Sequence, residues 1–130
     1  MPHTYHQASG VWMNPKGAIL GTGYSGQPPH TNVIGDEALE GLGPIPAGNW
    51  YITAIQEENI KLGPSVLILE PDHDTRARIL AMPRDPDSFR IHGERLEPPP
   101  GYASDGCIIL TRFCRLMIWE SLDHALVVMP

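Results

Sequence analysis

The hydrophobic and polar positions of this chain form many short runs separated by glycine and proline, with little sustained helical periodicity. Near the amino end the pattern predicts strands over Thr4–Gln7, Gly10–Met13 and Ala18–Tyr24. Asn14-Pro15-Lys16-Gly17 forms a hairpin turn between the last two. Residues 25–43 lack a clear period and read as a long loop. Gly43-Pro44-Ile45-Pro46-Ala47-Gly48 is a stiff turn into a strand over Asn49–Gln56. There Trp50, Ile52 and Ala54 alternate with Tyr51, Thr53 and Ile55, so both faces are expected to be covered. Val66–Glu70, Arg78–Met82 and Ser88–His92 are further strand candidates. Pro71-Asp72-His73-Asp74 turns between the first two.

After Cys107–Leu110 the period changes. Thr111 is a fair N-cap, and Phe113, Leu116, Met117 and Glu120 follow a helical spacing, which predicts one short helix over 111–121. Asp123-His124 then turns into a last strand, Ala125–Met129. Pro98-Pro99-Pro100-Gly101 is expected to hold its loop extended. The pattern thus predicts a mainly β fold with one helix, in a single domain over residues 1–130.

Composition sharpens this picture. A chain of 130 residues can bury a core without a metal or disulfide staple. Its 13 glycines and 14 prolines favour turns and short strands. The formal charge of −6 and the lack of a basic run argue against nucleic acid as a partner. No apolar stretch approaches the ~18 residues of a membrane span. The start, Met1-Pro2-His3-Thr4-Tyr5-His6, lacks a basic segment followed by an apolar one, so synthesis in the cytosol without a leader is expected. No cofactor is implied. His3 and His6 form a His-x-x-His pair and His73 lies between two aspartates, but a terminal strand and a solvated turn explain them better than a metal does. Trp50 and Trp119 fit core positions, and Cys114 fits the helix core.

The chemistry gathers at two places. His92 ends the apolar run Phe89-Arg90-Ile91-His92-Gly93. Cys107 follows a Ser104-Asp105-Gly106 turn and opens the run Ile108-Ile109-Leu110. A thiol is intrinsically nucleophilic, and a neighbouring imidazole takes its proton and later protonates a leaving amine. Backbone N–H groups at Gly106 and Cys107 are the candidates for holding an oxyanion. The alternative is an inert buried thiol beside a structural histidine.

These motifs resemble those of L,D-transpeptidases, cysteine acyltransferases of peptidoglycan. The likeness is closer to a compact branch, the L,D-transpeptidase effectors of type VI secretion systems. Gly23-Tyr24-Ser25-Gly26, Gly43-Pro44-Ile45-Pro46-Ala47-Gly48-Asn49-Trp50-Tyr51-Ile52 and Ala103-Ser104-Asp105-Gly106-Cys107-Ile108-Ile109-Leu110 carry it, in that order, over about residues 5–129. The resemblance implies a β-sandwich or barrel-like sheet with a short helix after the nucleophile, and a tetrapeptide stem as substrate. Cys107 would attack the carbonyl of the L-centre of diaminopimelate and expel terminal D-alanine, leaving a thioester. Water, a free D-amino acid or another stem would resolve it. It further implies delivery by a secretion apparatus into a target-cell periplasm, and a periplasmic immunity protein as partner.

Two positions depart from the family pattern. Asp105 stands where most members carry histidine, and Ile109 where many carry arginine. Asp105 must then point away from the thiol or pair with His92 or an arginine, since a bare carboxylate would raise the thiol pKa. Arg90, Arg95, Arg112 and Arg115 are candidates to supply the missing cation. The carbonyl of Gly93 is the first candidate to orient His92, and Ser104 the second. Tyr24, Ser25, Arg90 and Asp105 are the candidate substrate-binding residues, although Tyr24 and Ser25 equally fit a strand end. A catalytically inactive wall-binding or secretion-adaptor domain is the competing reading. A peptidase acting on proteins would share the chemistry, but no third-member Asn or Asp motif is evident.

Overall fold

The computed structural model describes all residues, 1–130. Nine strands and two helices make a mainly β fold. The strands are β1 (His3–His6), β2 (Val11–Met13), β3 (Ile19–Thr22), β4 (Tyr24–Ser25), β5 (Gly48–Asn59), β6 (Gly63–Pro71), β7 (Arg90–His92), β8 (Ile108–Ile109) and β9 (Ala125–Met129). Helix α1 covers His73–Ala81 and α2 covers Arg112–Glu120. The strand order is β3-β2-β1-β9-β5-β6-β7-β8-β4, parallel at β1–β9 and β7–β8 and antiparallel elsewhere.

The two edges of this sheet, β3 and β4, are consecutive in sequence. Gly23 alone separates them, so one bent segment seals both ends of a nearly closed barrel. Gly23 N–H donates to Gly10 O, and a Cβ on Gly23 would lie 1.7 Å from Ile109 O, so backbones meet here at a distance only glycine permits. Closure leaves few unpaired ladder groups exposed.

The core is one cluster that includes Tyr5, Trp12, Ile45, Trp50, Leu67, Phe89, Ile91, Ile108 and Ile118. Trp50 and Phe89 pack edge to face with centroids 5.2 Å apart. Trp119 packs against the edge of this cluster and stacks on His124 at 4.5 Å. His3 is buried in the core rather than frayed. Its Nδ1 accepts from Trp12 Nε1 at 3.1 Å, which leaves Nε2 to donate to Asp123 O at 2.9 Å.

Most predicted strands and the α2 helix fall within a few residues of their expected positions. Arg78–Met82 does not: it lies in and just after helix α1. Asp72 caps that helix by accepting from Thr75 N–H, and only Thr75 and Ile79 are buried along it, so the apolar run Ile79-Leu80-Ala81-Met82 belongs to a one-sided surface helix. The fold therefore has two helices where one was expected. On α2 the buried side is Cys114, Arg115 and Ile118, while Phe113 is 72% exposed. β5 is covered on one side only. Trp50 and Ile52 point inward, Tyr51 is 50% exposed, and a register shift between Ile52 and Ala54 leaves Ala54 outside. The Pro98–Gly101 segment bends and turns instead of running extended. Both cysteines are free, and no helix is long and apolar enough to cross a membrane.

Candidate active site

Strand register brings His92 and Cys107 to one surface. β7 and β8 run parallel with Ile91 opposite Ile108 and His92 opposite Ile109. Extending the register by one residue sets Cys107 beside Arg90. Side chains alternate along a strand, so Arg90, His92 and Cys107 share the face opposite Ile91 and Ile108, which are both fully buried in the core. His92 and Cys107 are diagonal neighbours on that face, within reach of one another's side chains. Both line a cleft of about 570 Å³, together with Arg84, Arg90, Asp105 and Lys61.

The imidazole is held by its own neighbour. His92 Nδ1 lies 2.9 Å from Gly93 O, the first of the two orienting groups considered. A carbonyl can only accept, so the proton sits on Nδ1 and Nε2 keeps its lone pair for the cleft. Gly93 has a second constraint: a Cβ there would come within 3.0 Å of Arg115 Nη1. Arg115 is buried and donates to Ser65 O, Leu110 O and Pro64 O. Burial pushes the His92 pKa down, the bond to Gly93 O opposes this, and the Arg115 charge pushes it down further.

Ser104, the second candidate to orient the histidine, has another task. Its buried hydroxyl donates to Cys107 O at 2.5 Å and accepts from Gly26 N–H at 2.9 Å and Gly106 N–H at 3.1 Å. It thereby ties the nucleophile turn to the chain after β4. This corrects one expectation. The Gly106 N–H is spent on Ser104 Oγ and is not available to an oxyanion, whereas the Cys107 N–H has no partner in the protein. Gly106 serves the turn through its φ of +136°, a region that disfavours side chains.

Tyr24 and Ser25 are also corrected: neither lines the cleft. Ser25 is fully buried, donates from Oγ to Gly106 O at 2.8 Å and accepts from Ile45 N–H at 2.8 Å. Tyr24 OH donates to Glu94 Oε2 at 2.7 Å and accepts from Ala103 N–H at 3.2 Å. Glu94 Oε2 also takes Gly101 N–H at 2.9 Å. Both residues build the site from behind. The Tyr-Ser pair opening a loop gave no signal for this, because its partners are distant in sequence.

Asp105 lines the cleft but is engaged. Gln27 Nε2 donates to its Oδ1 at 2.9 Å, so it pairs with a neutral amide rather than with His92 or an arginine, and its charge still pushes the thiol pKa up. Arg90 also lines the cleft, and it donates to Asp87 O and Phe89 O and forms no salt bridge. Of the other candidate cations, Arg95 and Arg115 border a second cleft of about 640 Å³ that shares His92 with the first. Arg112 reaches Ser65 Oγ.

No hydrogen bond joins the sulfur to the imidazole. Cys107 Sγ faces Ser88 O at 3.8 Å. Burial raises the thiol pKa and the Asp105 charge adds to this, opposed by the Arg90 N–H and by the charges of Arg90 and Arg84. With the thiol shifted up and the imidazole down, both shifts disfavour a thiolate–imidazolium pair. The cleft thus gathers a thiol, an imidazole with a fixed tautomer and one unpaired backbone N–H donor. That set suits acyl transfer. Comparison with protein-family models and with curated proteins finds no match to this chain.

Proposed function

We propose that the protein is a cysteine acyltransferase of peptidoglycan that acts on tetrapeptide stems, with L,D-carboxypeptidase or D-amino-acid exchange activity. The observation that carries this reading is the pairing of β7 with β8, which sets Cys107 and an Nδ1-protonated His92 on one face of one cleft. The motif resemblance supplies the substrate class. In the proposed reaction Sγ bonds to the carbonyl carbon of the diaminopimelate L-centre as His92 Nε2 takes the thiol proton. The oxyanion forms against the Cys107 N–H. The C–N bond then breaks, and D-alanine leaves with the proton from Nε2. Water or an amine attacks the thioester, gives a proton to Nε2 and breaks the C–S bond, and the sulfur regains its proton.

The same resemblance supports an antibacterial role: a toxin delivered into a rival's periplasm and held in check by an immunity protein there. The direct test is incubation with purified tetrapeptide muropeptides and mass-spectrometric detection of D-alanine. Wild type releases it and Cys107→Ala does not; equal release by both would remove the proposal.

One observation favours a second reading, a wall-binding or secretion-adaptor domain without catalysis. The thiol and imidazole make no hydrogen bond, and their pKa shifts oppose an ion pair. Peptide-resolved alkylation by iodoacetamide separates the two. A catalytic Cys107 is alkylated far faster than Cys114, which is buried with its Sγ 3.0 Å from Leu20 O. Two equally sluggish thiols would favour the binding domain.

A further inference from the structure

Arg84 is a buried cation with no carboxylate partner. It is 5% exposed and forms no salt bridge in a chain of net charge −6. Its guanidinium bonds only to neutral carbonyls. Nη1 donates to Glu37 O at 2.7 Å and Pro44 O at 2.8 Å; Nη2 reaches Asp105 O at 3.2 Å and Gly43 O at 3.4 Å. Its Cζ lies 4.9 Å from the centroid of Phe89, a cation–π contact. Three separate segments thus converge on one side chain: the 37–44 loop, the approach to β7, and the turn that carries the nucleophile. The fit is close. A Cβ on Gly106 would lie 2.3 Å from Arg84 Nη2, so the glycine lets the guanidinium press against the turn at Asp105 O and Gly106.

Burying a cation among neutral dipoles costs free energy that an apolar side chain would not. The arrangement becomes favourable in the state where a negative charge develops nearby, and the residue beside Gly106 is the one that acquires such a charge. A planar fork also holds several carbonyls in a fixed plane, which an ammonium cannot do.

We propose that Arg84 is the positioning residue of the nucleophile turn: its fork locks Asp105 and Gly106 against the 37–44 loop and keeps a positive charge next to Gly106, one residue from the Cys107 thiolate. The proposal rests on Cys107 being the nucleophile. Burial lowers the Arg84 pKa, and its attraction first to the Cys107 thiolate and then to the Glu40 and Glu37 carboxylates opposes this; the first attraction also pulls the thiol pKa down.

Two variants of the full chain test it without relying on turnover. In Arg84→Met the pH profile of Cys107 alkylation by iodoacetamide shifts upward by about half a pKa unit or more, slowing reaction near neutral pH about threefold. A profile superimposable on wild type would overturn the proposal. Should Arg84→Met not fold, Arg84→Lys keeps the charge and loses the fork. Amide exchange over residues 104–107 then rises about tenfold, with exchange in α2 unchanged. Unchanged exchange at the turn, or an equal rise everywhere, would make Arg84 an ordinary core residue. D-alanine release by wild type is scored separately: an active protein with an Arg84-independent thiol would sink the Arg84 role alone, and an inactive wild type would sink the enzyme reading and the Arg84 role with it.

Discussion

At the scale of residues, the site depends on how protons are held before substrate arrives. His92 has one nitrogen fixed by Gly93 O and one free, and its pKa is depressed by burial and by Arg115. Both causes favour the neutral imidazole, the form the proposed base role needs. Under the proposed reaction, activity on muropeptides should climb through an acid limb whose midpoint lies below the ordinary histidine value of about 6.5 and then hold a plateau through neutrality. The profile of kcat/KM measures this on the free enzyme, and a limb centred above that value would contradict the assignment. His92→Gln removes the proton acceptor and should lower kcat/KM by about 10²–10⁴-fold. The variant should leave the thermal melting profile near neutral pH largely in place, because the ring's only hydrogen-bond partner is the carbonyl of the next residue.

At the scale of elements, α2 follows the nucleophile strand and fixes Arg115 behind His92. Thr111 caps it, accepting from Cys114 N–H at 3.3 Å. Thr111→Ala should cost about 0.5–2 kcal/mol in urea denaturation, and Thr111→Asn should cost less. A fully neutral Thr111→Ala would mean that packing alone sets the helix start. This element was legible in the sequence because the cap and the change of period are local signals. The same holds for β9 and for the β2–β3 hairpin turn. Helix α1 was not legible: its residues between Pro71 and Met82 bury one narrow side, so the apolar run at its end looked like a strand once isolated from Asp72. That Cys107 and His92 share one cleft was legible, from a cysteine after a glycine turn and a histidine ending a run. Their supports were not. Ser25, Arg84 and Arg115 act through backbone carbonyls far away in sequence, and such contacts leave no spacing pattern. Tyr24 and Ser25 were expected at the substrate face because a strand end and a site wall look alike in sequence. Gly106 was expected to offer its N–H, and only the fold shows Ser104 already holding it.

At the scale of the whole molecule, closure of the barrel draws both chain ends into one core. β1 pairs in parallel with β9, and β9 pairs with β5, so the first and last strands lie side by side in the wall. His3 fastens this junction. Its Nδ1 must stay unprotonated to accept from Trp12 Nε1 while Nε2 donates to Asp123 O, and burial lowers its pKa accordingly. The imidazole of His92 is shifted the same way. For a histidine whose folded pKa lies below its unfolded value, the unfolded chain binds more protons across that interval, so stability rises with pH. The contribution is complete above the unfolded value of about 6.5 and is lost as pH falls from there through the folded pKa. Urea midpoints should therefore decline from pH 7 toward pH 5, before most carboxylates titrate. In His3→Gln the protein is less stable at pH 7, because the amide replaces the ring imperfectly, but the decline over this window is shallower. In the His3→Gln, His92→Gln double variant it is shallower again. Parallel declines in all three proteins would show that the acid sensitivity comes from elsewhere, and that the junction between the chain ends does not depend on a neutral imidazole.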